Sequence, residues 1–192
     1  MNNTNYFKAI VFTFLLSVLF ISCNEKEDNF LKEMERDWFA KGNADWNFSN
    51  DVLAGVIKEG DGFIHSKKSY KNFILELEFK PGNTINSGVF IRCKNDSINP
   101  INCYEFNIWD NHPNQKYRTG AVVLKSSPLA KVTTIGKWNT YKIRCHQNSL
   151  QAWINGILVT DIIDRNHIEG LIGVQASGSG TVQFRKFDLI LR

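Results

Sequence analysis

From Gly42 onward, apolar residues recur at every second position and polar residues fill the gaps. The pattern is clearest over residues 73–80, where Phe73, Leu75, Leu77 and Phe79 point one way and Glu76, Glu78 and Lys80 the other, the mark of a half-buried strand. Pro81-Gly82 ends it. Further strands are predicted over residues 88–93, 103–109, 120–125, 138–145 and 150–154. Asn155-Gly156 supplies a type I′ turn that folds 151–154 back on 157–161. Strands over 171–175 and 182–191 follow, joined through Gly178-Ser179-Gly180. Ahead of all of these, Phe30, Leu31, Met34 and Trp38 fall at helical spacing and predict one short amphipathic helix. Many short strands with hairpin turns and no βαβ alternation define an all-β fold, a jelly-roll sandwich of two antiparallel sheets. No internal repeat of propeller or solenoid period is present.

The N-terminus has a different character. Lys8 precedes an apolar run from Ala9 to Ile21, too short to cross a bilayer, and Ser22-Cys23 follows it directly. This resembles a bacterial lipobox, in which the thiol is acylated and cleavage falls just before it. The expected organisation is a signal peptide over 1–22, a lipid-anchored tether with the short helix over 23–42, and one β-sandwich domain over 43–192. Acyl chains on Cys23 would anchor the protein without a spanning helix. Lys26-Glu27-Asp28 resembles the export signals of outer-membrane lipoproteins in Bacteroidetes-type bacteria, so the expected location is the cell envelope, on the outer membrane and facing outward. In an oxidising compartment Cys93 and Cys103, at the end of one predicted strand and the start of the next, are the candidate disulfide. Cys145 alternates in phase with Tyr141 and Ile143 and reads as a buried small hydrophobe.

A length of 192 residues with 43% hydrophobic residues fits one globular domain and excludes general disorder. The net charge of +4 carries no Lys/Arg run, which argues against nucleic acid as a partner. The sequence lacks a His-Glu-x-x-His helix, a Gly-x-Ser-x-Gly elbow, a phosphate loop and a dinucleotide fingerprint. Zincin, α/β-hydrolase and nucleotide-dependent chemistries are thereby set aside.

The polar positions of residues 103–113 remain. With period two, Tyr104, Phe106 and Ile108 enter the core, while Glu105, Asn107 and Trp109 share the opposite face. A carboxylate, an amide and an indole in line suit a sugar: polar groups for hydroxyls and an aromatic plane for the apolar face of the ring. Asp110 and His112 follow directly, and Arg92 on the neighbouring strand is placed by alternation to reach Glu105 or a substrate oxygen. The plainer reading of the same residues is a solvated face with a Glu105–Arg92 cross-strand ion pair. Glu105, Asp110 and His112 also offer oxygen and nitrogen ligands to a divalent metal, in a spacing that matches no specific metal motif; a structural Ca²⁺ in the loops is equally open.

Six short stretches carry a family resemblance. Asn86-Ser87-Gly88-Val89-Phe90-Ile91-Arg92, Tyr104-Glu105-Phe106-Asn107-Ile108-Trp109-Asp110, Thr119-Gly120-Ala121, Gly136-Lys137-Trp138-Asn139-Thr140-Tyr141, Trp153-Ile154-Asn155-Gly156 and Gly173-Val174-Gln175 resemble, in order and spacing, the 3-keto-disaccharide hydrolase family. Trp46 with residues 51–55 and 70–73 extends the resemblance over residues 43–192. It implies a concanavalin-like jelly roll and, for some members, cleavage of glycosides whose glucose unit carries a 3-ketone. The ketone acidifies the neighbouring proton, so a base can remove it and expel the aglycone, after which water adds back. The resemblance makes Glu105 or His112 the base and Asp110 its partner or a metal ligand. Arg92 and Asn86 then hold the enolate oxygen, with Asn107 and Trp109 against the sugar. The laminarinase-type pattern Glu-x-Asp-x-x-Glu aligns with Glu105-Phe106-Asn107-Ile108-Trp109-Asp110, where an amide replaces the central carboxylate. That departure disfavours an ordinary β-glucanase. The alternative from another class is a non-catalytic carbohydrate-binding lipoprotein with Trp46, Trp109 and Trp138 as stacking platforms. On alternation alone, Trp138 and Trp153 are expected in the core.

Overall fold

The computed structural model describes residues 30–192; the expected signal segment, the lipidation site Cys23 and the acidic tether lie outside the described residues. In chain order the elements are α1 (Phe30–Asp37), β1 (Trp38–Gly42), β2 (Asp45–Ser49), β3 (Val52–Ile57), β4 (Asp61–Ser66), β5 (Phe73–Pro81), β6 (Ile85–Cys93), β7 (Tyr104–Ile108), a 3-10 turn (Gln115–Tyr117), β8 (Asn139–His146), β9 (Ser149–Ile154), β10 (Ile157–Ile163), β11 (Leu171–Gly178) and β12 (Gly180–Leu191). They form two antiparallel sheets, one of five strands in the order β1-β4-β11-β6-β7 and one of seven in the order β10-β9-β8-β5-β12-β3-β2. The expected sandwich is thus observed.

Alternation explains the core. Phe73, Leu75, Leu77 and Phe79 of β5 meet Val89 and Ile91 of β6 and Tyr104, Phe106 and Ile108 of β7 in one buried cluster. Cys145 lies in the same cluster, as its phase suggested. Asn155 and Gly156 both adopt positive φ between β9 and β10, the geometry a type I′ turn demands.

Three differences from the sequence pattern have local causes. First, the five-stranded sheet begins at Trp38, ahead of the expected boundary at 43. Trp38 is buried but the other four residues of β1 are exposed, so an edge strand shows little alternation. Second, residues 120–125 form no full strand. Val122 bridges Phe106 and Ser126, and Leu124, at φ +64°, turns the chain out of the ladder. Third, Trp138 and Trp153 are not in the core. Trp153 is half-buried between Ala152 and Ile154, whose burial turns it to the outer face of the seven-stranded sheet, and Trp138 lies under the Arg185 guanidinium at 4.1 Å.

The Cys93–Cys103 disulfide forms as expected. It closes residues 94–102 over the outer face of the five-stranded sheet, where Phe90, Cys93, Ile98 and Cys103 make a second small apolar cluster with Phe63 and Leu171 against it. One part of that face is therefore roofed, and the part beside it carries the polar groups described next.

Candidate functional site

Cross-strand register arranges the outer face of the five-stranded sheet in rows. His65, Gly173, Phe90 and Glu105 share one row; Phe63, Gln175, Gly88 and Asn107 the next; Asp61, Ser177 and Asn86 the third. Rows lie about 7 Å apart and neighbouring strands about 4.8 Å, the dimensions of a sugar ring and its hydroxyls.

Glu105 is 6% exposed and leans over Gly88. A Cβ at position 88 would stand 3.3 Å from its Cγ and 3.4 Å from its Oε1, so the glycine makes the room the carboxyl occupies. No hydrogen bond among the described residues holds that carboxyl. Burial pushes its pKa up to about 7, and the negative charge of Asp61 adds to the shift. Near neutral pH the group is divided between its two protonation states and can accept or return a proton.

Around it, polar atoms await partners. Asn86 Oδ1, Gln175 Oε1 and His65 Nε2 are buried without a hydrogen bond among the described residues. Buried acceptors of this kind are normally satisfied, and hydroxyl donors of a ligand would satisfy them here. Asp61 is tied to Ser177 through the serine hydroxyl. Gln175, Asp61 and Ser177 were not among the sequence candidates. Gln175 stood inside a recognised motif, and its alternation with Val174 and Ala176 was the signal that it faces away from the core.

The other candidates separate into two groups. Trp109 is half-buried and meets the His112 ring edge-on at 4.4 Å, and His112 in turn meets Tyr117 at 5.8 Å. His112 Nδ1 accepts the Asn114 backbone N–H at 3.0 Å, which assigns the neutral ring's proton to Nε2. Burial lowers its pKa, favouring that neutral form. Asn86, Trp109 and His112 thus keep polar or aromatic surface at this end of the sheet.

Arg92, Asp110 and Asn107 do not. Arg92 is fully buried and its guanidinium donates to three backbone carbonyls: Lys71 at 2.6 and 3.1 Å, Gln147 at 2.8 Å and His167 at 3.2 Å. Strict alternation would have placed it on the face of Glu105. A φ of +50° at Arg92 and a register slip opposite it, between Leu171 and Gly173, turn it away. Asp110 is buried in the loop: its carboxylate accepts the Thr119 hydroxyl, the Thr134 hydroxyl at 2.9 Å and the Thr134 N–H at 2.6 Å. The Asn107 amide holds the Tyr117 carbonyl and the Ile108 N–H, which fixes the turn carrying His112 and Tyr117. These two side chains position the site's loop and are not free for substrate or metal. Among the described residues no group of three or more His, Cys, Asp or Glu side chains comes together as a metal site.

The fold and this face define a carbohydrate-directed jelly roll. The family model for the 3-keto-alpha-glucoside-1,2-lyase-like domain matches residues 29–190, and the chain belongs to that family. Among solved structures it is similar to a Parabacteroides distasonis protein with the provisional name glycosyl hydrolase, at 24% identity and TM-score 0.69, covering 81% of this chain and 99% of that one. A second protein of that organism and name matches at 20% identity and TM-score 0.67, covering 81% and 88%. The carbohydrate-binding module CBM66 of Bacillus subtilis matches at 20% and 0.61, covering 80% and 95%. At these identities the likeness is one of fold. No curated protein matches the chain.

Proposed function

We propose that the protein cleaves 3-keto-glucosides by elimination across C1 and C2, with Glu105 as the base. The observation that carries this is the Glu105 carboxyl: buried, without a hydrogen bond among the described residues, pushed by burial to a pKa of about 7, and on the same sheet face as unsatisfied amide oxygens. Ionised Glu105 removes the C2 proton, which the neighbouring C3 ketone acidifies. The Asn86 amide N–H and the neutral His112 Nε2–H stabilise the enolate oxygen, as a neutral imidazole can. The electron pair at C2 then forms the C1=C2 bond as the C1–O bond breaks. Protonated Glu105 returns the proton to the departing aglycone oxygen, and water adding across the double bond completes hydrolysis. The membership of a family described as 3-keto-alpha-glucoside-1,2-lyase-like supports this bond order of events. Lipid anchoring through Cys23 at the outer membrane belongs to the same proposal, since it would bring the site to glycans at the cell envelope.

The test is product release from a chromogenic glucoside and from its 3-keto derivative, each with divalent metal and with EDTA. Release from the keto form alone, unchanged by EDTA, is the expected result. Release from the plain glucoside would overturn the proposal in favour of ordinary glucanase chemistry.

A second reading rests on the other sheet. A groove of about 620 Å³ on the outer face of the seven-stranded sheet is lined by Trp153, Thr140, Glu76, Glu78, Lys142 and Lys186. Its acids are engaged, Glu76 with Lys142 at 2.7 Å and Glu78 with Arg185 and Lys186 at 2.6 Å, which leaves the indole as the apolar platform. Sugar retention that survives loss of Glu105 but not of Trp153 would favour a binding module.

A further inference from the structure

The loop that follows β7 buries a second arginine, and this one is not saturated. Arg118 is 5% exposed; its Nη2 donates to the Val132 carbonyl at 2.8 Å, but Nε and Nη1 have no acceptor among the described residues. Arg118 lines a cavity of about 370 Å³ together with Lys116, Lys131, Gln115, Ser127 and Leu129. No Asp or Glu lines that cavity, and neither lysine forms an ion pair with another described residue. Three cations thus line one cavity with no carboxylate beside them, and where the buried Arg92 guanidinium finds carbonyls for its N–H groups, Arg118 leaves two of its nitrogens open.

The platform beneath them is fixed. Thr119 is tied to Asp110, and the Ala121 N–H donates to the Arg118 carbonyl at 3.0 Å. The open Nε–H and Nη1–H lie on different edges of the planar guanidinium, so each can donate singly to an oxygen of an anion, and two flexible lysines add charge at the rim. We propose that Arg118, with Lys116 and Lys131, forms a binding site for an oxyanion, either an acidic substituent of a glycan or a free inorganic anion. The site does not depend on the role given to Glu105.

Isothermal titration of the protein with sodium sulfate, sodium glucuronate and glucose, at constant ionic strength in a chloride background, tests this directly. Sulfate and glucuronate are expected to bind saturably, and glucose to compete with neither. Arg118→Gln should lower both affinities by about tenfold or more, and the exposed pair Lys116→Ala/Lys131→Ala, which disturbs no buried contact, by about threefold. Glu105→Gln should leave both unchanged. Glucuronate binding more tightly than sulfate assigns the site to an acidic sugar; equal affinities assign it to a free anion; either result supports an oxyanion site. No saturable binding over chloride, or binding that survives both the Arg118 variant and the lysine pair, overturns it. The open N–H groups would then belong to buried water.

Discussion

Two side chains only a step apart on the β6–β7 pair, one on each face, are both buried and both ionisable, and the fold treats them oppositely. Arg92 enters the interior between the sheets, where carbonyls from three separate connections accept its N–H groups. Glu105, whose cross-strand partner is Phe90, is nearly as buried and receives no hydrogen bond among the described residues. A buried charge costs several kcal/mol unless hydrogen bonds replace its water. For Arg92 that replacement is complete, so the group ties the β8–β9 turn and the two flanking loops to the sheet. For Glu105 the cost stands, and it appears as a carboxyl that ionises only near neutral pH. A saturated buried charge is a tie in the fold; an unsaturated one beside open acceptors is a place for a ligand.

The largest effect that would break this contrast is on catalysis. Glu105→Gln keeps the shape and removes the proton acceptor, so release from a 3-keto-glucoside should fall by about a thousandfold. Urea unfolding should meanwhile show stability unchanged or raised, because a neutral amide no longer has to hold a buried charge. Activity within threefold of the parent would remove Glu105 from the mechanism. On the other face, Arg92→Leu leaves three carbonyls without donors and should lower the unfolding free energy by about 3–5 kcal/mol, with the turnover per folded molecule retained. Lost turnover at intact stability would restore Arg92 to the site.

How far the sequence reveals these two roles depends on how far strict alternation holds. Phe73 to Phe79 and Tyr104 to Ile108 keep period two, so the core, the sandwich and the outward face of Glu105 are legible from the pattern alone. Asn86 and Gln175 hold the same phase, and the outward position of Gln175 could have been read from it. Arg92 could not, because one residue with positive φ and a register slip on the neighbouring strand reverse its direction without leaving a mark in the hydrophobic pattern. Asp110 and Asn107 show a second limit. Both lie where motif and phase put a ligand, but Thr119, Thr134 and Tyr117, which come from the following loop, occupy their polar atoms. Which partner a polar side chain finds across a loop of some twenty residues is a tertiary fact that spacing does not encode. The tryptophans follow the same logic: Trp153 is in perfect alternation, and it is the identity of the buried phase, Ala152 and Ile154, that sends it outward.

The pH dependence of stability sharpens the contrast further. The Glu105 carboxyl has an ordinary value of 4.5 and is raised to about 7 in the folded protein, so between these values the native state binds more protons than the unfolded chain. The slope of stability with pH is then negative: the contribution is complete below about pH 4.5 and is lost as pH rises through about 7. The size expected is about 2–3 kcal/mol. Urea unfolding at pH 5 and pH 8 should show this loss in the parent and not in Glu105→Gln, while the same step should persist in Arg92→Leu. If the glutamine variant keeps the full loss, the buried ionisation belongs to another group.

The smallest effect expected concerns how the sugar meets the open face. Trp109 presents a half-buried indole beside His112, and stacking of a pyranose on it is worth about 1 kcal/mol. Trp109→Ala should therefore raise KM for the 3-keto-glucoside about fivefold and leave kcat within about twofold. The competing result is equally specific. The indole edge also confines the His112 ring, whose Nδ1 is fixed by the Asn114 N–H; if the ring swings when the indole is removed, kcat falls while KM stays. That split would place Trp109 behind His112 as a positioning residue and leave the apolar face of the sugar to another side of the groove.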